Sequence, residues 1–284
     1  EKDFEVVIVD DLSTGSEDNL IEGCDFYKLD LSNENNYKKL PKNIDIVFHL
    51  ASQVSSEISF FNPINDMKRN SLATLLMLDW SLKSSVKNFL YSSSMGVYGS
   101  NSEGASKETT PLNPTSFYGI NKRASEEFIK IFSDKGLDFT IFRLFNVYGP
   151  GQNMSDLNQG MVSIYLEYIL RRKPILIKGS LDRIRDYVFI DDVTDALILG
   201  LNPKAKNNIY NVCSGVGTSV EKLINSLLLA LGQNLDYPKT ILPNTPNDIY
   251  KIWGNCDKLK KDFDWVPKNK LNDGLSKFVH SLNF

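Results

Sequence analysis

Cysteine is scarce in this 284-residue chain. The three copies, Cys24, Cys213 and Cys256, are far apart, odd in number and without the short spacings of a metal site. Neither a disulfide scaffold nor a zinc module is expected, and a reducing cytoplasm fits best. No apolar run is long enough to span a bilayer and no signal-peptide pattern is present, so no membrane partner is expected. Positive charge is not in excess either. The 32 Lys and Arg are outnumbered by 35 Asp and Glu, for a net charge of −3, which argues against a nucleic-acid partner. Repeats and low-complexity segments are also missing. What is there is an ordinary globular composition, 42% hydrophobic and 24% charged, with enough chain for one large domain or two interleaved ones.

Apolar runs alternate with helical periodicity through the first half. Strands are predicted at residues 4–9, 24–29, 44–50, 86–92 and 137–145, and helices at 65–83 and 117–135. Such alternation implies right-handed crossovers and a parallel sheet covered on both faces. Past Gly151 the rhythm changes. Helices are expected at 160–172, 191–201 (with an Asp near its N-cap), 220–231 (closed by Gly232) and 272–282. Short strands are expected at 174–177, 188–190, 209–213 and 248–253.

The chemistry concentrates in Ser92-Ser93-Ser94 and in Tyr118-Gly119-Ile120-Asn121-Lys122. The strand before the serines delivers them to its carboxyl end, where open parallel sheets bind ligands. Tyr118 and Lys122 are four apart on a predicted helix whose apolar stripe is Phe117, Ile120, Ala124, Phe128, Ile131 and Phe132, so they share one face. A free phenol titrates near ~10, and a neighbouring cation favours its ionised form. A serine hydroxyl could complete a proton relay.

This combination resembles the extended short-chain dehydrogenase/reductase family, particularly its nucleotide-sugar epimerases and dehydratases, from the second sheet strand onward. The resemblance implies an α/β fold: a Rossmann-like, doubly wound parallel sheet with a smaller interleaved C-terminal substrate lobe. It places an NAD-binding domain at 1–150, with 187–213 returning to it, and the nucleotide-sugar lobe at 151–186 and 214–284. Asp10 matches the acid on the adenosine ribose, and a carboxylate there favours NAD over NADP. Asp30 and Leu31 match the adenine-contacting pair. Leu50, Ala51 and Ser52 match the loop beside the nicotinamide ribose, and Asn70 the asparagine that touches this loop. Ser92, Tyr118 and Lys122 complete the cofactor-binding set. Aligned on Val97-Tyr98-Gly99, Ser94 takes the catalytic Ser/Thr position, with Tyr118 as base and Lys122 lowering its pKa. Asn146, in Phe145-Asn146-Val147-Tyr148-Gly149-Pro150-Gly151, and Arg185, in Arg185-Asp186-Tyr187, are expected on the substrate diphosphate, with Asp248 beside them. A homodimer through the helices near 65–83 and 117–135 is implied by the family.

Three departures shape the expectation. Dehydratases of the family carry Asp-Glu after the catalytic Ser/Thr, and decarboxylating relatives keep a glutamate there; here stand Met95 and Gly96, which transfer no proton. Epimerisation is therefore the leading chemistry, ahead of a reductase, an epimerase of another centre or a catalytically silent NAD-binding scaffold. A second diphosphate arginine is expected three residues before Asp248, where Thr245 stands. Finally, the glycine-rich phosphate loop is expected about twenty residues before Asp10. Only nine residues precede Asp10, none an initiating Met, and no Gly-x-x-Gly-x-x-Gly pattern is among them. The expectation is a fragment of a longer protein that lacks the first strand, its loop and its helix and binds NAD weakly by itself; the alternative is a genuinely truncated chain.

Overall fold

The structure, a computed structural model, describes residues 4–100, 104–158, 160–245 and 247–282. Strands β1 (Val7–Asp10), β2 (Asp25–Lys28) and β3 (Ile46–His49) lead into a helical stretch. That stretch comprises α1 (Ser56–Phe61), α2 (Pro63–Met67), a π-turn at Lys68–Leu72 and α3 (Ala73–Lys83). Then come β4 (Asn88–Ser94), α4 (Phe117–Ser133), β5 (Asp138–Leu144) and β6 (Asn146–Tyr148). The second half adds α5 (Met161–Leu170), β7 (Ile175–Lys178), β8 (Ile184–Arg185), β9 (Tyr187–Phe189), α6 (Ile190–Leu199) and β10 (Asn208–Val212). It ends with β11 (Thr218–Ser219), α7 (Val220–Ala230), β12 (Lys239–Leu242), α8 (Asp257–Phe263) and α9 (Leu271–Ser281).

β3, β4, β5 and β10 form a parallel sheet in the order β10-β5-β4-β3, and β1 pairs in parallel with β2. Among the described residues no strand joins β1 to β3. Both nonetheless feed one core, in which Val9 and Val47 pack with Phe89, Tyr91, Ile129 and Ile141 under α3 and α4. On the other face Leu90 and Phe142 meet Val193 and Ala196 of α6. This is the α/β, Rossmann-like architecture, and the chain order reverses between β1 and β3, where such sheets take ligands. Within each piece the strands run parallel, so the carboxyl ends of β3 and β4 bring Leu50 and the serines to one edge, while Asp10 ends β1 and Asp30 lies just past β2.

A second core lies in the smaller lobe, where α5, α7 and α9 pack Leu166, Leu223, Leu227 and Phe278 against Ile175 and Ile177 of β7. Residues around α8, expected with this lobe, pack on β10 instead, Leu259 and Trp265 beside Tyr210 and Val212.

Four local expectations differ from the structure. The helix expected at 65–83 begins already at Ser56 and is interrupted at Asn62-Pro63. Pro63 has no N–H to donate back, and Asn62 caps the new helix by accepting from the Asn65 amide at 3.2 Å. Residues 248–253 form no strand and make one isolated bridge, Lys251 with Ile184. No Asp caps α6: Asp191 and Asp192 lie inside its first turn, and Asp192 accepts from the amides of Lys268 and Asn269. Lastly, the apolar stripe of α4 is only partly its core face: Phe132 is buried and Phe128 packs on the core, but the rest does not follow. Phe117, Ile120 and Ile131 point outward, while Tyr118, Asn121, Lys122, Ser125, Glu126 and Ile129 are buried.

Candidate active site

The buried face of α4 meets the carboxyl end of β4. Ser116 starts the helix by accepting from the Gly119 amide at 3.1 Å, a cap that contributes about 1 kcal/mol. This fixes Tyr118 and Lys122 one turn apart, both directed at the strand end. The Lys122 ammonium donates to the Ser92 carbonyl at 2.8 Å and lies 5.8 Å from the centre of the Tyr118 ring. The Ser94 hydroxyl lies near enough to the Tyr118 phenol to lower its pKa, and it accepts from the Gly96 amide at 3.1 Å. Ser94, Tyr118 and Lys122, far apart in the sequence, are thus brought together.

Their protonation differs from the expectation that Lys122 holds the phenol low. Burial pushes Tyr118 up to about 12, against the opposing influence of the Ser94 hydroxyl. Burial also pulls Lys122 down to about 7, against the carboxylates of Asp66 and Glu126. Taking either charge out of water costs more than its neighbours return.

Sequence reading missed the polar groups that frame the pair. Asp66 of α2 is buried and accepts from Gln53 at 2.6 Å, Asn121 at 2.7 Å and Asn70 at 2.9 Å. Glu126 pairs with Arg143 of β5 at 2.7 Å, and the Ser93 hydroxyl donates to it at 2.5 Å. A signal was present: Tyr118, Lys122, Ser125, Glu126 and Ile129 follow helical spacing on one face.

On the cofactor side, Asp10 ends β1 and Asp30 lies just past β2, accepting from the amides of Leu12 at 2.6 Å and Ser32 at 2.8 Å. The Leu31 carbonyl accepts from Tyr37. Leu50, Ala51 and Ser52 follow β3, and Asn70, on the π-turn, grips the next residue by donating to the Gln53 carbonyl at 3.2 Å. The Asn70 side-chain oxygen is buried without a hydrogen-bond partner. These groups fit a dinucleotide at both its ribose ends: carboxylates to accept from ribose hydroxyls, and Lys122 to donate. No glycine-rich phosphate cradle occurs among the described residues. The turn after β1 is instead tied by Asp11 to Arg69 at 2.8 Å.

A cavity of about 830 Å³ opens between β4, α4 and the smaller lobe. Leu50, Ser52, Ser92, Ser94, Tyr118, Lys122, Asn146, Arg185 and Asp248 line it, whereas Asp10, Asp30, Leu31, Ala51 and Asn70 lie outside. Asn146 donates to the Asp186 carbonyl at 2.8 Å. Asp186 in turn accepts from Ser214 and from the amides of Gly215 and Gly254, anchoring the segment that carries Arg185 into the wall. Arg185 pairs with Asp248 at 2.8 Å, and Arg183, which sequence reading passed over, pairs with the other oxygen of the same carboxylate.

Residues 1–213 match the NAD dependent epimerase/dehydratase family. The UDP-glucose 4-epimerase of Mycolicibacterium smegmatis is 31% identical over 282 residues, 96% of this chain and 89% of that protein. The crystal structure of UDP-glucose 4-epimerase from Thermotoga maritima with UDP-glucose superposes with a TM-score of 0.92 at 33% identity, covering 99% of this chain and 91% of that one. The Thermus thermophilus UDP-glucose 4-epimerase in complex with NAD gives 0.89 at 28% identity, covering 97% and 90%. With the clustered Ser94, Tyr118 and Lys122 and these matches together, the chain belongs to the NAD-dependent epimerase/dehydratase family, and NAD is its cofactor.

Proposed function

We propose that this chain epimerises a nucleotide sugar, a UDP-hexose or UDP-N-acetylhexosamine at C4. The observation that carries the reading is the pairing of an assembled Ser94–Tyr118–Lys122 triad with Met95 and Gly96 in the cavity wall. Dehydration or decarboxylation needs a further acid or base there, and a thioether and a hydrogen atom supply none. Bound NAD supplies a reversible hydride acceptor. Tyr118 takes the proton of the C4 hydroxyl, with Ser94 bridging phenol and sugar. Lys122 holds the nicotinamide ribose. The C4 carbon becomes a ketone, the sugar turns within the cavity, and Tyr118 returns the proton when C4 is reduced on its other face. Arg185 binds the diphosphate, and Asn146 lies beside it.

Replacing Tyr118 with Phe leaves packing and NAD content intact and removes the proton relay. Interconversion of UDP-glucose and UDP-galactose, or of the N-acetyl pair, should fall roughly 10²- to 10⁴-fold. Undiminished turnover would refute the assignment, and net consumption of added NADPH would point to a reductase instead.

The outward face of the α1–α4 helices supports a homodimer. Phe61 is 79% exposed, Ile64 61% and Ile120 51%, and together with Phe117 they make an apolar surface of the sort a second copy covers. Three free thiols support a cytoplasmic location, and synthesis of polysaccharide precursors is the pathway class such a reaction serves.

A further inference from the structure

Residues 183 and 185 are two apart on an extended segment, so their side chains leave the same side of the chain. Both guanidinium groups line the cavity and both are buried, each at about one-twentieth of full exposure. Each is oriented by a backbone carbonyl. The Arg183 Nε donates to Ser180 at 3.2 Å and the Arg185 Nη1 to Ile184 at 2.8 Å. They share one carboxylate, Asp248, which gives one oxygen to each. Two buried cations against one anion leave a positive charge in the wall, a costly arrangement unless an anion enters the cavity. The other cation at this end, Lys178, is engaged by Glu57 at 2.6 Å. Thr245, also in the wall, carries no charge.

We propose that Arg183 is the second guanidinium for the substrate diphosphate, taking over the task that Thr245 cannot perform. This rests on the nucleotide-sugar reading. Asp248 then acts as a spacer that holds two planar forks side by side, matched to the two phosphates of a nucleoside diphosphate.

Calorimetric titration of the full chain with UDP, dTDP, CDP and GDP identifies the diphosphate that binds tightest. That ligand and its bare nucleoside are then titrated into Arg183→Gln and Arg183→Lys. Arg183→Gln should weaken the diphosphate about 10- to 100-fold and the nucleoside by less than about threefold. Arg183→Lys, which keeps the charge but not the fork, should fall between. Adding Thr245→Arg to Arg183→Gln should recover part of the loss. Equal affinity of the wild type and either Arg183 variant for the diphosphate overturns the assignment while leaving the nucleotide-sugar reading intact. Equal losses for nucleoside and diphosphate overturn it too, because a purely structural role weakens both. A wild-type chain that binds no nucleoside diphosphate overturns the underlying reading and Arg183 with it.

Discussion

Replacing Gly119 by alanine would put a methyl carbon 2.5 Å from the Gly96 carbonyl oxygen, 3.1 Å from its carbon and 3.0 Å from the Pro114 side chain. The first contact is with backbone that closes the turn after β4, so no flexible side-chain tip can step aside. A relaxed carbon–oxygen contact needs roughly 3.3 Å, so α4 and that turn must part by about 0.8 Å. Overpacking of this kind costs about 1–3 kcal/mol, or a Tm lower by roughly 2–10 °C in a chain of this size. Tyr118 adjoins Gly119 and Ser94 adjoins the turn, so the parting moves the phenol away from the hydroxyl. A misplacement approaching 1 Å in a reacting group costs about 10²-fold. Gly119→Ala should therefore lower kcat by roughly 10- to 100-fold while KM changes by less than about threefold. The natural control is Gly96→Ala, whose methyl would meet the Ser94 hydroxyl at 3.5 Å and the Tyr118 ring at 3.6 Å, ordinary contact distances. Steady-state assay of C4 interconversion, with NAD content and Tm measured alongside, compares the two. A Gly119→Ala enzyme within twofold of wild-type kcat would refute the reasoning.

Lys122 is pulled from 10.5 to about 7, so between those values the unfolded chain binds a proton that the folded chain has released. Stability therefore rises with pH over that window by up to about 1.4 kcal/mol per unit. Above 10 the raised Tyr118 reverses the slope, since the unfolded phenol ionises first. Denaturant unfolding from pH 7 to 10 should show the stability of the wild type gaining on that of Lys122→Met; a constant difference would sink the idea. Ile120→Glu puts a charge into the outward apolar face of α4, and sedimentation should show half the wild-type mass with the fold retained. An unchanged mass would place the dimer elsewhere or deny it.

The parts of the fold that could be read from the sequence are those in which one physical demand acts at a time. β4 and β5 are buried through most of their length, and the apolar runs at their centres, Phe89-Leu90-Tyr91 and Ile141-Phe142, were enough to mark them as strands. The triad was legible because a Tyr and a Lys four apart must share a helical face. The direction of that face was not. Apolar periodicity marks where apolar side chains lie, and on α4 they lie on two sides: one against the core through Phe128 and Phe132, and one toward solvent through Phe117, Ile120 and Ile131. The inner side is the polar one, because each of its polar groups finds a partner. Ser125 bonds the Asn121 carbonyl, and Asn121 bonds Asp66 and Ser71. Such satisfaction depends on residues about 50 positions away and leaves no local mark. Arg183 was hidden differently. It precedes a segment whose resemblance drew the eye to Arg185, and its pairing with Asp248 is a contact across 65 positions.

The same buried partners explain the unusual charge balance at the triad. Two carboxylates flank Lys122, yet neither is free to form an ion pair with it. Glu126 is committed to Arg143 by a two-pronged bond, and Asp66 to three amides. The ammonium is left with the Ser92 carbonyl and the faces of Tyr91 and Tyr118, the former at 4.9 Å. Those contacts orient it without repaying its desolvation, so burial wins and Lys122 sits near neutrality. With a weakly charged lysine, the phenol also stays high. Among the protein's own groups, then, Tyr118 is a proton donor, and turning it into a base requires further positive charge beside it. The oxidised nicotinamide ring carries such a charge and its reduced form does not. If NAD and a nucleotide sugar occupy the site as proposed, the oxidised ring would favour Tyr118 as a base, and its reduced form would favour Tyr118 as the acid that returns the proton when C4 takes the hydride back.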